Sequence, residues 1–366
     1  MTSQSCLKQS AWFLNEMART KMKLCILIDG ISNSGGTDRV ASLISGLFVK
    51  NGIETSIYSM SSGKPYYDFD QRVVIKSPKY SSRSRNLLDY GFSIKREKFD
   101  FVIVLSMGKL SAQAVPLLKM INVKAKVICN DHVSFKSFSK AKQIIKWPAY
   151  KMADEIVVLT ESDRRYLAEK LGSKVKVVRN CSPYEHATLD VDQIAKKVKI
   201  VLAVGRLTYQ KNFERLLSNW IKINSEGWKL VIVGSGEDRE QLEAFISKNN
   251  INNVSIENPG HNLDEWYKKS SLLVMTSRYE GLPMVLIEAK NFGVPAVAFD
   301  CETGPIEIIK DDGFVIDYDD DAAFVRKIEE LLKDDRQRLE LSLRSLHNSR
   351  IFTGDEIYKE WVSILV

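Results

Sequence analysis

The feature that most limits the fold is a repeated alternation of short apolar runs with stretches of helical period. KLCILID, ETSIYSM, FDFVIVLS, AKVICN, EIVVLT and KVKVVRN follow one another along the first half. The runs are nearly continuous in apolar residues rather than alternating with polar ones. That is the signature of strands covered on both faces, hence of parallel sheets flanked by helices. After a polar stretch, YEHATLDVDQIAKK, the alternation restarts with KIVLAVG, KLVIVG, VSIEN, SLLVMTS and PAVAFD. One restart predicts two doubly wound α/β domains. A chain of 366 residues is long enough to bury two such cores. The expected division is a loose extension at 1–21, a first Rossmann-like domain at 22–190, a second at 191–347, and a closing helix at 348–366 that packs back toward the first domain. In open parallel sheets ligands bind beyond the carboxyl ends of the strands, so the expected site is a cleft onto which both domains open.

Several classes are disfavoured at once. No apolar run approaches the ~18–20 residues that span a bilayer. Residues 1–20 carry one Lys and one Arg and no apolar signal region, and either Met1 or Met22, where the strand pattern begins, could start the chain. The five cysteines, Cys6, Cys25, Cys129, Cys181 and Cys301, are scattered and show no metal-binding spacing. They read as small buried thiols of a reducing compartment. Charge is distributed unevenly. Residues 1–180 hold 30 Lys and Arg against 15 Asp and Glu, and the remainder holds 23 against 31. A basic first half calls for an anionic partner.

Two stretches carry chemistry. In SRYEGLPMVLIEAKNFGVP (Ser277–Pro295), the strand LLVMTS delivers Glu280 to its carboxyl end. Pro283 suits the first turn of the helix that follows. The backbone N–H groups of Gly281, Leu282 and Met284 then form a ready anion site at a helix N-terminus. Glu288 lies two turns into that helix. A diphosphate on the amides would leave one carboxylate for hydroxyls at each end of a larger ligand. In AVGRLTYQKNFERLL (Ala203–Leu217), Arg206 emerges from strand KIVLAVG and Lys211 precedes Asn212, a potential helix cap. Arg forks two oxygens and Lys acts as a point charge, a suitable pair for a diphosphate leaving group. VGSGEDRE resembles a dinucleotide turn but lacks the G-x-G-x-x-G spacing, and no P-loop is present.

Taken with GGTDRV (Gly35–Val40), VGSGEDREQLE and DCETGPIEII, these stretches resemble the retaining nucleotide-sugar glycosyltransferases of family 4, with the two-domain GT-B fold. The resemblance covers roughly residues 22–345. The segment DCETGPIEII resembles a pattern of bacterial enzymes that build O-antigen, capsule or lipopolysaccharide outer core. The resemblance implies that Arg206 and Lys211 bind the donor diphosphate, that Glu280 contacts the donor sugar and Glu288 the ribose, and that Gly281, Leu282, Pro283 and Met284 hold the phosphates and sugar. It implies that Gly35 and Gly36 let the first loop approach the phosphates, and that His132 in CNDHVSF faces the donor sugar. It implies retention by front-face attack without a dedicated general base. With no strand-terminal Asp-x-Asp and two cations in place, a metal-independent enzyme without a cofactor is expected.

The implied reaction is transfer of a hexose or N-acetylhexosamine from a UDP-sugar to a lipid-linked, lipopolysaccharide or capsule glycan, with a lean toward galactose or N-acetylgalactosamine. The acceptor is expected on the first domain and the donor on the second. Val133–Lys151 mixes five lysines with Phe135, Phe138, Trp147 and Tyr150, and a second basic cluster runs from Lys76 to Lys98. Both suggest peripheral docking to the inner membrane from the cytoplasm, with the aromatic rings at headgroup level, rather than binding to nucleic acid. Two alternatives stay open: a same-fold UDP-sugar epimerase or phosphorylase, and a catalytically idle sugar- or membrane-binding module.

Overall fold

The structure, a computed structural model, describes residues 22–33, 35–184, 191–260, 262–301 and 303–365. The expected extension at 1–21 lies outside the described residues. The chain divides into two compact units, residues 22–178 together with 358–365, and residues 179–357.

The first unit holds seven strands: β1 (Lys23–Ile28), β2 (Glu54–Ser59), β3 (Val74–Lys76), β4 (Phe101–Ser106), β5 (Lys126–Asp131), β6 (Glu155–Val158) and β7 (Val175–Val177). They pair in the order β3-β2-β1-β4-β5-β6-β7, all parallel. The central strands are buried on both faces; Leu24, Cys25, Ile26 and Leu27 have no exposed surface. This is why they read as unbroken apolar runs. Helices Gly36–Lys50, Arg83–Glu97, Lys109–Met120, Lys140–Met152 and Glu161–Leu171 make the crossovers. The last begins at Thr160, whose hydroxyl accepts from the backbone N–H of Asp163 and satisfies one orphan donor of the first turn.

The second unit holds β8 (Val198–Val204), β9 (Lys229–Val233), β10 (Val254–Glu257), β11 (Ser270–Met275), β12 (Ala296–Phe299) and β13 (Gly313–Ile316). Their order is β10-β9-β8-β11-β12-β13, again all parallel. Both sheets therefore share one winding, which reverses direction next to their first strand: between β1 and β4 in one unit, between β8 and β11 in the other. Phe299 stacks on Phe324 at 4.3 Å and Trp220 is 1% exposed in the core of the second sheet. Ser277, Lys211 and Arg206 all lie just beyond the carboxyl ends of the two strands that flank its reversal.

The helix Gly354–Leu365 sends residues 358–365 into the first unit. Trp361 meets Phe48 edge-on at 5.7 Å, and Lys126 donates to the carbonyl of Ile364 at 2.6 Å. Three local expectations are corrected. Pro283 is the cap residue of helix Met284–Asn291 rather than its first residue. Asn212 caps helix Phe213–Trp220 by position only: its φ of 57° is left-handed and its side chain makes no cap hydrogen bond. GPIEIIK, whose pattern suggests a longer helix, forms a single helical turn, Pro305–Ile308.

Candidate active site

Pairing of β8 with β11 brings together residues 69 positions apart. Lys211 follows the first strand and Glu280 the second, and the Lys211 ammonium lies 2.5 Å from Glu280 Oε1. The two side chains are 14% and 9% exposed, so the pair sits at a rim, neither free in solvent nor sealed. Several backbone contacts hold this rim. Thr276 Oγ1 donates to the carbonyls of Lys211 and Asn212 at 3.1 Å each. Gln210 Nε2 donates to Tyr279 O at 2.9 Å, and Arg278 N to Gln210 O at 2.8 Å. The β8 loop also abuts the β9 loop without room for a side chain: a Cβ on Gly234 would lie 2.0 Å from the Gly205 carbonyl.

The Gly281–Met284 turn is braced from behind. Thr303 Oγ1 donates to Glu280 O at 2.7 Å. Gly304 has φ of 96°, and a Cβ there would come within 2.7 Å of both Gly281 O and Pro283 Cδ. Thr303 and Gly304 are thus supporting residues that motif reading missed as such, although DCETGPIEII marked their segment. Cys301, buried beside the rim, has its thiol pushed up to about 12, first by burial and then by the Glu280 carboxylate, so it is an inert thiol.

Arg206 is exposed at the end of β8, and among the described residues no ion pair holds it. Glu288 is placed differently from the rim. It is 1% exposed, and its carboxylate accepts from the Tyr267 hydroxyl at 2.8 Å. Its helix is packed on several sides, Leu286, Ile287, Ala289 and Lys290 all being buried. The Glu288 carboxylate is thus enclosed among packed side chains.

The first unit contributes its own residues at the carboxyl end of its sheet. His132 directly follows β5 and is 8% exposed. Its backbone N–H donates to Ser106 O, and Nε2 lies 3.1 Å from Asn130 Oδ1. The Asn130 amide nitrogen points to Val157 O at 3.4 Å, which leaves its oxygen for the imidazole N–H. Burial pulls the His132 pKa down to about 4, against a smaller opposing pull from Asp131. The ring is a neutral hydrogen-bonding group at neutral pH. Gly35 is the cap residue of helix Gly36–Lys50, with φ of −73°. A Cβ on Gly36 would meet nothing within 4 Å and one on Gly35 only ordinary contacts. Nothing among the described residues of the unit therefore demands glycine at either place.

Beside that helix start, at the ends of β1 and β4, lies a cavity of about 280 Å³ bordered by Asp29, Asn33, Thr37, Asp38, Ser61 and Met107. Asp38 is 5% exposed and accepts from Asn33 N at 2.9 Å; Asp29 accepts from Arg83 at 2.5 Å. Sequence reading did not single out these acids: Asp29 is a lone Asp after a strand, and Asp38 stood unremarked within GGTDRV. Among the described residues no group of three His, Cys, Asp or Glu side chains could hold a metal ion.

The docking segment is corrected in detail. Phe135 and Tyr150 are core residues, 4% and 0% exposed, and Phe138 and Trp147 pack partly buried against that core. The apolar side chains that helix Lys140–Met152 presents most to solvent are instead Ile144 and Ile145, at 73% and 67%. Lys136, Lys140, Lys142 and Lys151 are exposed around them, while Lys146 is buried. No helix among the described residues is long and apolar enough to cross a membrane.

Two parallel Rossmann-like sheets of the same winding are the architecture of the GT-B fold. Residues 187–345 match the family described as glycosyl transferases group 1. The chain is 46% identical over 349 residues to the amylovoran biosynthesis glycosyltransferase AmsD of Erwinia amylovora, covering 94% of this chain and 99% of that protein. It belongs to the glycosyl transferases group 1 family. It is also 28% identical over 362 residues to a Campylobacter jejuni enzyme named as an undecaprenol-linked α-1,4-N-acetyl-D-galactosaminyltransferase, covering 94% and 98% of the two chains. Among solved structures, Staphylococcus aureus TarM in complex with fondaparinux, α-GlcNAc-glycerol and UDP shares the fold at a TM-score of 0.77 and 15% identity, covering 94% and 99% of the chains.

Proposed function

We propose that this glycosyltransferase moves a hexose or N-acetylhexosamine from a UDP-sugar to a lipid-linked, lipopolysaccharide or capsule glycan, with retention of anomeric configuration. The observation that carries the reading is the Lys211–Glu280 rim beside the amides of Gly281–Met284. Lys211 and Arg206 neutralise the diphosphate as it departs. Both follow β8, and Lys211 is held by Glu280, so charge developing on the leaving group meets a cation already at the rim. Glu280 accepts from donor-sugar hydroxyls. Glu288 serves the ribose, and the Tyr267 hydroxyl now on it has the same donor chemistry a ribose offers. His132, neutral, hydrogen-bonds the donor sugar. The names of the AmsD and Campylobacter relatives support a polysaccharide or lipid-linked acceptor, and the latter leans the donor toward N-acetylgalactosamine. The presence of UDP on TarM supports a UDP-sugar.

The acceptor belongs on the first unit, where Asp29 and Asp38 offer carboxylates to sugar hydroxyls at the cavity. Ile144 and Ile145 among four lysines form the contact with an anionic leaflet, each lysine near the surface contributing ~1 kcal/mol. No metal takes part, since two cations already serve the diphosphate; transfer abolished by EDTA and restored by a divalent ion would refute that.

The direct test is thermal unfolding with UDP, UDP-galactose, UDP-N-acetylgalactosamine, UDP-glucose, GDP-mannose and NAD. A ligand at 100 times its Kd stabilises the state that binds it by ~2.7 kcal/mol, several degrees for units of this size. A shift confined to uridine compounds supports the reading and ranks the donors. A flat response to all uridine compounds would overturn it.

A further inference from the structure

Beside His132 the first unit buries a full charge pair that none of the roles above uses. Asp131, the last residue of β5, has a side chain 1% exposed, and it is paired with the Lys146 ammonium, itself 3% exposed. The carboxylate is held from further directions: the Tyr150 hydroxyl donates to Oδ2 at 2.5 Å and the Ser111 hydroxyl to Oδ1 at 3.2 Å. Lys146 is confined in turn, its ammonium lying 4.9 Å from the centre of the Phe138 ring and 5.1 Å from that of Tyr150. The same framework reaches the backbone on the other side of His132. Ser106, whose carbonyl receives the His132 N–H, accepts on its hydroxyl from Gly108 N and Ser111 N.

A buried ion pair is a poor source of stability. Its desolvation penalty offsets most of the attraction, and an apolar pair of similar volume often holds a core better. It is a good source of directional constraint. A carboxylate gripped by a cation and two hydroxyls fixes one rotamer of Asp131, and so the path of the chain into the next residue. That next residue is His132, at the end of the sheet where ligands bind.

We propose that Lys146 and Tyr150 are positioning residues that act through Asp131 to hold the His132 imidazole toward the donor sugar. This rests on the assignment of His132 to the donor sugar made above. The Lys140–Met152 helix, which carries both, is thereby part of the active-site framework as well as the outer layer of the unit.

The test is a double-mutant cycle read on UDP release from UDP-galactose and UDP-N-acetylgalactosamine, using Lys146→Met, Tyr150→Phe and His132→Ala. Tyr150→Phe loses one hydroxyl and keeps the ion pair, so it reports even where Lys146→Met does not fold. The expected result is a roughly 10-fold loss of kcat for Tyr150→Phe, with KM for the donor unchanged, as for a small misplacement of a reacting group. In the His132→Ala background the same change should cost less than about 2-fold, because its route of action is already gone. Equal losses in both backgrounds would mean that Tyr150 and Lys146 only support the fold, and the inference fails alone. Full activity in His132→Ala would remove the His132 assignment itself, and the inference with it. A readout free of turnover is the titration of the His132 imidazole by NMR, assigned by its loss in His132→Ala. Lys146→Met leaves the Asp131 charge uncompensated and should move the His132 midpoint upward; an unmoved midpoint would break the link between the pair and the ring.

Discussion

The two units wind their sheets in the same order, and each buries a lysine–aspartate pair, but at opposite ends. In the first unit Asp131 closes β5 at the carboxyl end and pairs with Lys146. In the second, Asp312 stands just before β13, at the amino end, and pairs with Lys290 from the helix that carries Glu288; the side chains are 1% and 4% exposed. The second unit keeps its ligand end for the half-open Lys211–Glu280 pair. Position along the sheet thus separates what one chemical device does. At the amino end a buried pair ties a helix to a strand, away from any ligand. At the carboxyl end it stands one residue from a candidate catalytic group.

The sharpest way to break this contrast is to remove one lysine from each pair. Either Lys290→Met or Lys146→Met strands a buried carboxylate, which costs about 3–5 kcal/mol and lowers the melting temperature of its own unit by roughly 6–20 °C. Calorimetry should show both losses. At a temperature where both variants are folded, UDP release should stay at the native rate in Lys290→Met and fall in Lys146→Met. Equal turnover in the two would erase the distinction drawn from sheet polarity.

Next in size is Glu280→Gln at the second unit's ligand end. It should lower turnover about 100-fold, a barrier increase of about 2.7 kcal/mol, while shifting the melting temperature much less than the buried-pair variants. A large melting shift with retained turnover would recast Glu280 as structural.

The pH dependence should separate the units as well. His132 has a folded pKa near 4 and an unfolded one near 6.5, so between those values the unfolded chain binds more protons. Stability of the first unit therefore falls as pH drops from 6.5 toward 4, by about 3 kcal/mol at most, and His132→Gln should flatten that slope. Lys197 in the second unit is lowered to about 7 by burial, its ammonium donating to the carbonyls of Phe292 at 2.6 Å and Gly293 at 3.3 Å. There the unfolded chain binds the extra proton above pH 7, so this unit gains stability as pH rises from 7 toward 10.5. Unfolding followed by probes local to each unit should show the two opposite margins.

The smallest stability effect is expected on the outer face of the first unit. Ile144→Ser with Ile145→Ser should change stability by less than about 0.5 kcal/mol, since both side chains are exposed. Sedimentation with vesicles containing anionic lipid should nevertheless show weaker association; undiminished sedimentation would remove these residues from any membrane contact.

Much of the fold could be read from the chain because central parallel strands advertise themselves. FVIVLS is buried at every position of β4, and nothing but a covered strand needs such a run. β3 and β13, short and only partly buried edge strands, were not read as strands, whereas the equally short edge strands β7 and β10 were legible in KVKVVRN and VSIEN. At the site, the end-of-strand placement of Glu280 and Lys211 followed from LLVMTS and KIVLAVG, but their contact depends on β8 lying beside β11. The enclosure of Glu288 depends on Tyr267, 21 positions away. The aromatic rings of Val133–Lys151 were legible as a cluster, not as a direction. Which of them faced inward was settled by the packing of Phe135 against Tyr150 at 5.4 Å. The Asp131–Lys146 pair had no sequence signature, since a carboxylate and an amine 15 positions apart meet only when a strand hands over to a returning helix.

The closing helix has a consequence for how the polypeptide is made. Residues 358–365 supply Trp361 and the Ile364 carbonyl to a unit whose other members are already finished at residue 178. During vectorial synthesis at ~5–20 residues per second, the ribosome spends roughly 10–40 s on the second unit before that missing piece is translated. For that interval Phe48 lacks the ring that covers it. The first domain to be born is thus among the last parts of the molecule to be complete, and nascent-chain chaperones have their longest opportunity at its incomplete face.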